Sequence, residues 1–400
     1  MVSRKMPSRK MWAPLILIGF VLTAAQCFPA ESPGSSLKHL SARDQYFVYV
    51  GTYTGPNSKG IYAYRFDGKT GQFSPLGVAA EVQNPSFVVT DPRHRFLYTV
   101  TEIGNDGKAH GTISSYAIDP TTGALKFLNK VDSGGGGACH LVVDNSGKML
   151  FVANYGTGSV ASFAIQADGS IGDKTGFDQH TGSSIDPKRQ TGPHAHEVVL
   201  SPDNRFLFVP DLGTDQIKIY RVDAAKGTFA PNDPAFASVK PGLGPRHFIF
   251  GRGAKFAYVV CEMGSSVAVF SYDSRNGSLT PVQTISNLPP DFTGEDNSAE
   301  IQVDEPGRFL YASNRGNDSI TVFAIDPHKG TLTKVQLVPT KGNIPRNFVI
   351  DPTGKYLVAA NQKSDQMVVF AVDEKNGQLT PTGQTVDVAS PVSILFVPVK

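Results

Sequence analysis

Long charge runs, low-complexity tracts and sustained helical periodicity are all missing from this 400-residue sequence. Charged residues make up only 18% of it. With no segment repeating its apolar residues every three or four positions, a helical fold is excluded. Cysteine numbers three, too few to read as a disulfide framework. Gly-x-Ser-x-Gly is absent, so no serine nucleophile is indicated. What the chain does have is turns. Its 40 glycines and 28 prolines, set among short apolar runs, indicate an all-β protein.

The first 30 residues follow different rules. MVSRKMPSRK carries four positive charges, MWAPLILIGFVLTAA is apolar throughout, and small residues follow at Ala24, Ala25 and Ala30. That order is the n-, h- and c-region order of a secretory signal. The apolar run is short for a membrane span of about 20 residues. We expect a signal over 1–30, a linker over 31–44, an exported product and no stable membrane insertion after cleavage. Removing the signal leaves 33 basic residues against 35 acidic ones, so the net basicity belongs to the leader. Nothing remains of the electrostatic footprint of a nucleic-acid binder.

Self-similarity decides the rest. FDGKTGQFSP, IDPTTGALKF, QADGSI, VDAAKGTFAP, YDSRNGSLTP, IDPHKGTLTK and VDEKNGQLTP each read as a hairpin turn. Their glycines are Gly71, Gly123, Gly169, Gly227, Gly277, Gly330 and Gly377, separated by 46 to 58 residues. A strand such as RFLYTVTE or RFLYASNR precedes each turn, and a further strand such as PRHFIFG or PRNFVID precedes most of those. Four strands per unit and seven units predict a seven-bladed β-propeller over 45–400. The first unit lacks its leading strand, while SPVSILFV at 390–397 is a leading strand with nothing after it. It is expected to join the N-terminal blade and close the ring, leaving no sheet edge exposed. Even blade spacing keeps Cys139 and Cys261 too far apart to bond.

Aligned repeats bring polar residues into register. Leading strands, which line a propeller's channel, open with Ser86-Phe87, Cys139-His140, His196-Glu197, Arg246-His247, Ala299-Glu300, Arg346-Asn347 and Val392-Ser393. Second strands close on Tyr53, Glu102, Tyr155, Leu212, Glu262, Arg315 and Gln362. Burying so many ionisable groups without partners costs several kcal/mol each. They therefore face a solvated cavity or one another, and the channel mouth is the expected site. PHAHE suggests a metal motif, but on a strand its two imidazoles stand only two residues apart on one side, and no carboxylate-rich set supports them. SGGGGACH lacks the helix and Lys-Ser/Thr of a phosphate loop. No metal and no cofactor are expected.

GPRHFIF…FAYVVCEM, NSAEIQVDEPGRFLYASNRG and IPRNFVIDPTGKYLVAANQKSDQMVVFAVDE together resemble the bacterial seven-bladed lactonase family. That family includes propeller-type 6-phosphogluconolactonases and the fungal carboxy-muconate lactonizing enzyme. The resemblance spans about 45–400 and implies a lactone hydrolase acting on an anionic sugar-acid lactone. It implies a catalytic set of His196, Arg246, Glu262 and Arg315; since lactone hydrolysis needs a base, Glu262 is the candidate, with His196 or His247 to relay the proton. His140, His194, His247, Glu300, Arg346 and Gln362 are the expected substrate-binding residues. GPHAHEV leaves His194 and His196 both open as the functional histidine. Two other readings stand beside hydrolysis: a lactonizing cycloisomerase and a non-enzymatic extracytoplasmic binding or scaffold propeller. The loop DQHTGSSIDPKRQTGPHAH (178–196) lies beside the proposed site, where specificity varies. Oligomeric state is not legible.

Overall fold

The structure, a computed structural model, describes residues 44–400. The expected signal and all but the last residue of the expected linker lie outside the described residues. Twenty-eight strands form seven four-stranded antiparallel sheets. Among the described residues there is no α-helix, only two three-residue 3-10 turns. Leading strands of neighbouring blades approach one another around the axis. In blade 1 the innermost strand is Pro391–Pro398, paired with Gln45–Thr52, so the C-terminus closes the ring as the repeat count requires.

No central core exists. Seven hydrophobic clusters lie one at each blade interface, as when Tyr258, Val260 and Val267 of blade 5 meet Ile301, Leu310 and Phe323 of blade 6. Strand alternation produces this directly, since each blade buries both faces against its neighbours. Cys139 and Cys261 are buried free thiols.

The seven turn glycines all adopt positive φ, between 69° and 87°. Six of them also pack against an aromatic ring at or near the start of the second strand of the preceding blade. Gly330 lies where an added Cβ would come within 2.3 Å of Phe256, whereas at Gly227 the nearest atom would be 3.7 Å away, on Thr175. The difference traces to blade 3, whose second strand opens with Met149 rather than an aromatic residue. Both alanine substitutions carry the left-handed penalty of about 1–2 kcal/mol. Gly330→Ala adds overpacking worth roughly 1–3 kcal/mol more. Gly330→Ala should therefore melt clearly below Gly227→Ala; equal melting temperatures would mean that the ring contact carries no energy.

Candidate active site

Two adjacent residues on a flat strand face opposite ways, so a pair such as Arg246-His247 cannot share one environment without a break in the pleat. A β-bulge supplies that break. In blade 5, Pro245 pairs with Cys261 and His247 with Val260, leaving Arg246 as the extra residue. Cys139, Arg346 and Val392 are the extra residues of blades 3, 7 and 1. The bulge re-aims the extra side chain and bends the strand. These four blades can thus present two neighbouring side chains on one side of the leading strand.

The upper layer centres on Glu262. Its Oε2 lies 2.9 Å from Arg246 Nε and 2.8 Å from Arg315 Nη2, and its Oε1 lies 2.7 Å from Arg189 Nη2. Burial alone would raise the Glu262 carboxyl, but Arg315, Arg246 and Arg189 outweigh it and hold the group far below the usual carboxylate range. With both oxygens engaged by guanidiniums, Glu262 has less freedom to accept a proton from water than a side chain with an open lone pair. Arg246 is almost wholly buried at 2% exposure. It also donates from Nη1 to the Ala299 carbonyl at 2.7 Å and to His247 Nε2 at 3.1 Å. Arg346 approaches Glu102 at 3.8 Å and lies over the Tyr53 ring, whose hydroxyl donates to Glu102 at 2.9 Å.

The two candidate histidines differ sharply. His194 stacks on Tyr155 with centroids 4.5 Å apart and donates from Nδ1 to the Tyr155 carbonyl at 2.9 Å, so it braces a loop. His196 lies between Tyr155 and His247, 5.5 Å and 5.2 Å away by ring centroid. Its Nδ1 is buried without any hydrogen-bond partner. Burial first, then Arg246 and His247, push its imidazolium form well down, so the ring is neutral.

Beneath lies a second layer. His140 Nε2 is 3.4 Å from Glu197, whose other oxygen accepts the Phe248 N–H. Because Arg246 donates to His247 Nε2, the proton of this neutral ring sits on Nδ1, 3.4 Å from Glu300 Oε1. Asn347 donates to the other oxygen of Glu300. Of the expected binding residues, His140, His194, His247, Glu300 and Arg346 thus join one polar cluster. Gln362 is half-buried in a 3-10 turn, and its backbone N–H reaches Ile344; no side-chain bond ties it to the cluster. Among the described residues no three His, Cys, Asp or Glu converge on a possible metal position.

Arg189 is the member that repeat alignment misses. It comes from the blade 3 to blade 4 connection, a segment with no periodic counterpart. Only the basic pair Lys188-Arg189 within that long insertion signals it.

Glu300 permits a pH test. Burial lifts its carboxyl from 4.5 to about 7, against the opposing pull of Arg246 and the hydrogen bonds from Ile301 and Asn347. A raised folded value means stabilisation that is complete below 4.5 and lost as pH rises through about 7. Glu300→Gln stays uncharged and lacks this dependence. The stability of the parent relative to the variant should fall by about 2–3 kcal/mol from roughly pH 5 to 8. Urea titrations of both proteins measure it, and parallel curves would contradict it.

The family model described as "Lactonase, 7-bladed beta-propeller" matches residues 47–396. The chain is 36% identical over 305 residues to a 6-phosphogluconolactonase of Bacillus subtilis, covering 76% of this chain and 85% of that protein. It is 35% identical over 309 residues to a 6-phosphogluconolactonase of Formosa agariphila, covering 76% and 86%. Among solved structures, the periplasmic gluconolactonase of Pseudomonas aeruginosa superposes with a TM-score of 0.84 at 39% identity, covering 89% of this chain and all of that one. The fold and these matches agree: the chain belongs to the seven-bladed β-propeller lactonase family.

Proposed function

We propose that this protein hydrolyses a sugar-acid lactone at the channel mouth, with His196 as the general base. The observation that carries this reading is a neutral imidazole whose ring nitrogens make no hydrogen bond among the described residues, with Nδ1 buried and Nε2 left for a water, beside a surplus of arginines. Four guanidiniums, Arg189, Arg246, Arg315 and Arg346, surround Glu262 and Glu102, while burial pushes the Glu197 and Glu300 carboxyls of the lower layer toward their neutral form. Such a surplus suits an oxyanion and an acid product.

In the proposed reaction His196 takes a proton from water as its oxygen attacks the lactone carbonyl. Negative charge grows on the carbonyl oxygen, where Arg315 and Arg346 are the candidate stabilisers. The tetrahedral species collapses, the ring C–O bond breaks, and the imidazolium returns its proton to the leaving alkoxide. Burial and Arg246, which make His196 a reluctant cation, also make it a willing donor at that moment. The new carboxylic acid then ionises. Glu262 holds three arginines in place instead of moving a proton.

Export is part of the proposal. The leader expected over 1–30 and the likeness to a periplasmic gluconolactonase both support an extracytoplasmic sugar lactone as substrate. The buried, ion-paired Arg246 is equally what a non-enzymatic binding propeller would contain. Acid release from δ-gluconolactone, its 6-phosphate and related aldonolactones, measured on protein recovered from the exported fraction, tests both points. Stoichiometric binding without turnover would leave the binding propeller standing. A full-length cytoplasmic product would end the export reading.

A further inference from the structure

The segment between the last strand of blade 3, Ile171–Gln179, and the start of blade 4 is a strap held at both ends by one buried carboxylate. Asp211 Oδ2 binds His180 Nδ1 at 2.5 Å, and Asp211 Oδ1 accepts the His194 N–H at 2.9 Å. His180 is fixed from its other side by the Tyr220 hydroxyl at 2.9 Å. Midway, the fully buried Gln190 donates to the Leu212 carbonyl at 2.9 Å and to Asp215 at 2.8 Å. Asp186 closes a turn by accepting the N–H groups of Lys188 and Arg189, both at 2.8 Å. A loop of ordinary connecting function does not require three buried polar anchors.

What those anchors present is Arg189. Its Nη2 alone is engaged, by Glu262 at 2.7 Å and the Tyr155 hydroxyl at 3.1 Å. Nε and Nη1 have no protein partner among the described residues, and the side chain is 40% exposed. Arg246 is buried, and Arg315 and Arg346 are only 13% and 16% exposed. Arg189 is therefore the cluster's most accessible cation, with exposed Lys188 beside it. The open Nε–H and Nη1–H groups lie on different sides of the guanidinium, so each offers one charge-assisted bond to an incoming anion while Nη2 stays pinned.

The geometry points to Arg189 as a specificity-determining residue that binds an anionic substituent of the lactone, a carboxylate or a phosphate remote from the reacting carbonyl. This inference rests on the hydrolysis reading of the same site. The measured quantity is a ratio: kcat/KM for an anionic lactone over kcat/KM for neutral δ-gluconolactone. Gluconolactone 6-phosphate and the monolactone of glucaric acid, which keeps a free carboxylate, distinguish the two anions. In Arg189→Ala the ratio should fall roughly tenfold to a hundredfold for whichever anion is recognised, mainly through KM. Arg189→Lys keeps the charge but cannot hold Glu262 and present a second donor at once, and should fall part of the way. An equal loss on neutral and anionic lactones would show that Arg189 acts only through Glu262 and would overturn the assignment, as would an unchanged ratio. If Arg189→Ala does not fold, the lysine variant decides by the same ratio.

Calorimetry separates this inference from hydrolysis itself. 6-Phosphogluconate and glucarate, titrated against gluconate, probe the second anionic group without turnover. Should no lactone be hydrolysed, a preference for the doubly anionic ligand that disappears in the Arg189 variants still supports the assignment. No preference in the parent protein overturns it.

Discussion

His196→Asn should remove most lactone turnover while leaving the melting temperature close to that of the parent. The imidazole is buried, yet its Nδ1 bonds to nothing. An unsatisfied buried nitrogen costs the fold about 1–3 kcal/mol. Asparagine keeps a polar atom near the Nδ1 position, so that cost stays about the same and only the small cavity of the lost ring is added. Losing a general base typically lowers the rate by about 10²–10⁴-fold. Glu262→Gln should behave in the opposite manner. Arg246 would remain buried against an uncharged amide, and breaking a buried ion pair from one side costs roughly 3–5 kcal/mol. The glutamine variant should therefore melt early and also lose activity, because Arg189 and Arg315 lose their common anchor. Melting curves and initial rates on the two variants suffice. If His196→Asn hydrolyses lactones at the parent rate, the base lies elsewhere. If Glu262→Gln keeps its stability but loses turnover, Glu262 is doing proton transfer after all.

Much of this architecture was legible because the repeat is carried by turn chemistry. A glycine at positive φ in each outer hairpin needs no tertiary information, and seven of them count the blades. The closing strand was equally legible from an imbalance between the ends of the chain. Three features were not. Arg246 and His247 share the cluster only because of a bulge, and residue types do not announce bulges as they announce turns. The state of Glu262 depends on Arg315 from blade 6 and on Arg189 from a connecting segment, so no local motif contains it. His194 and His196 stand in the same short motif, and only the contacts of His194 with Tyr155, stacking and a bond to its carbonyl, separate a brace from a free imidazole. Periodicity reports what every blade has in common. Chemistry resides in what single blades do differently.

Removing residues 391–400 should leave a chain that does not fold cooperatively. The strand Pro391–Pro398 pairs with Gln45–Thr52 from Pro391↔Thr52 to Pro398↔Tyr46, and it is buried from both sides. Phe396 packs edge-on to Phe66 with centroids 5.0 Å apart, in the cluster between blades 7 and 1, while Val397 belongs to the cluster between blades 1 and 2. Polar contacts cross the same seams. Ser393 Oγ accepts the Val88 N–H at 3.3 Å, and the Ile394 N–H donates to Asn347 Oδ1 at 3.0 Å. One strand therefore joins three blades. Val392, Ile394, Phe396 and Val397 are nearly or fully buried. At about 1.5–3 kcal/mol for each such side chain, their loss amounts to roughly 6–12 kcal/mol. That rivals the whole stability of a typical domain, about 5–15 kcal/mol. The deletion also bares the inner edge of Gln45–Thr52, an open template for aggregation. Because Asn347 receives its bond from this strand and donates to Glu300, the damage reaches the lower layer of the site. Circular dichroism and size-exclusion of the truncated chain provide the measurement. Adding a synthetic PVSILFVPVK peptide should restore folding and activity by strand addition. A truncated disc that melts within a few degrees of the parent would mean that the ring stays shut without its last strand.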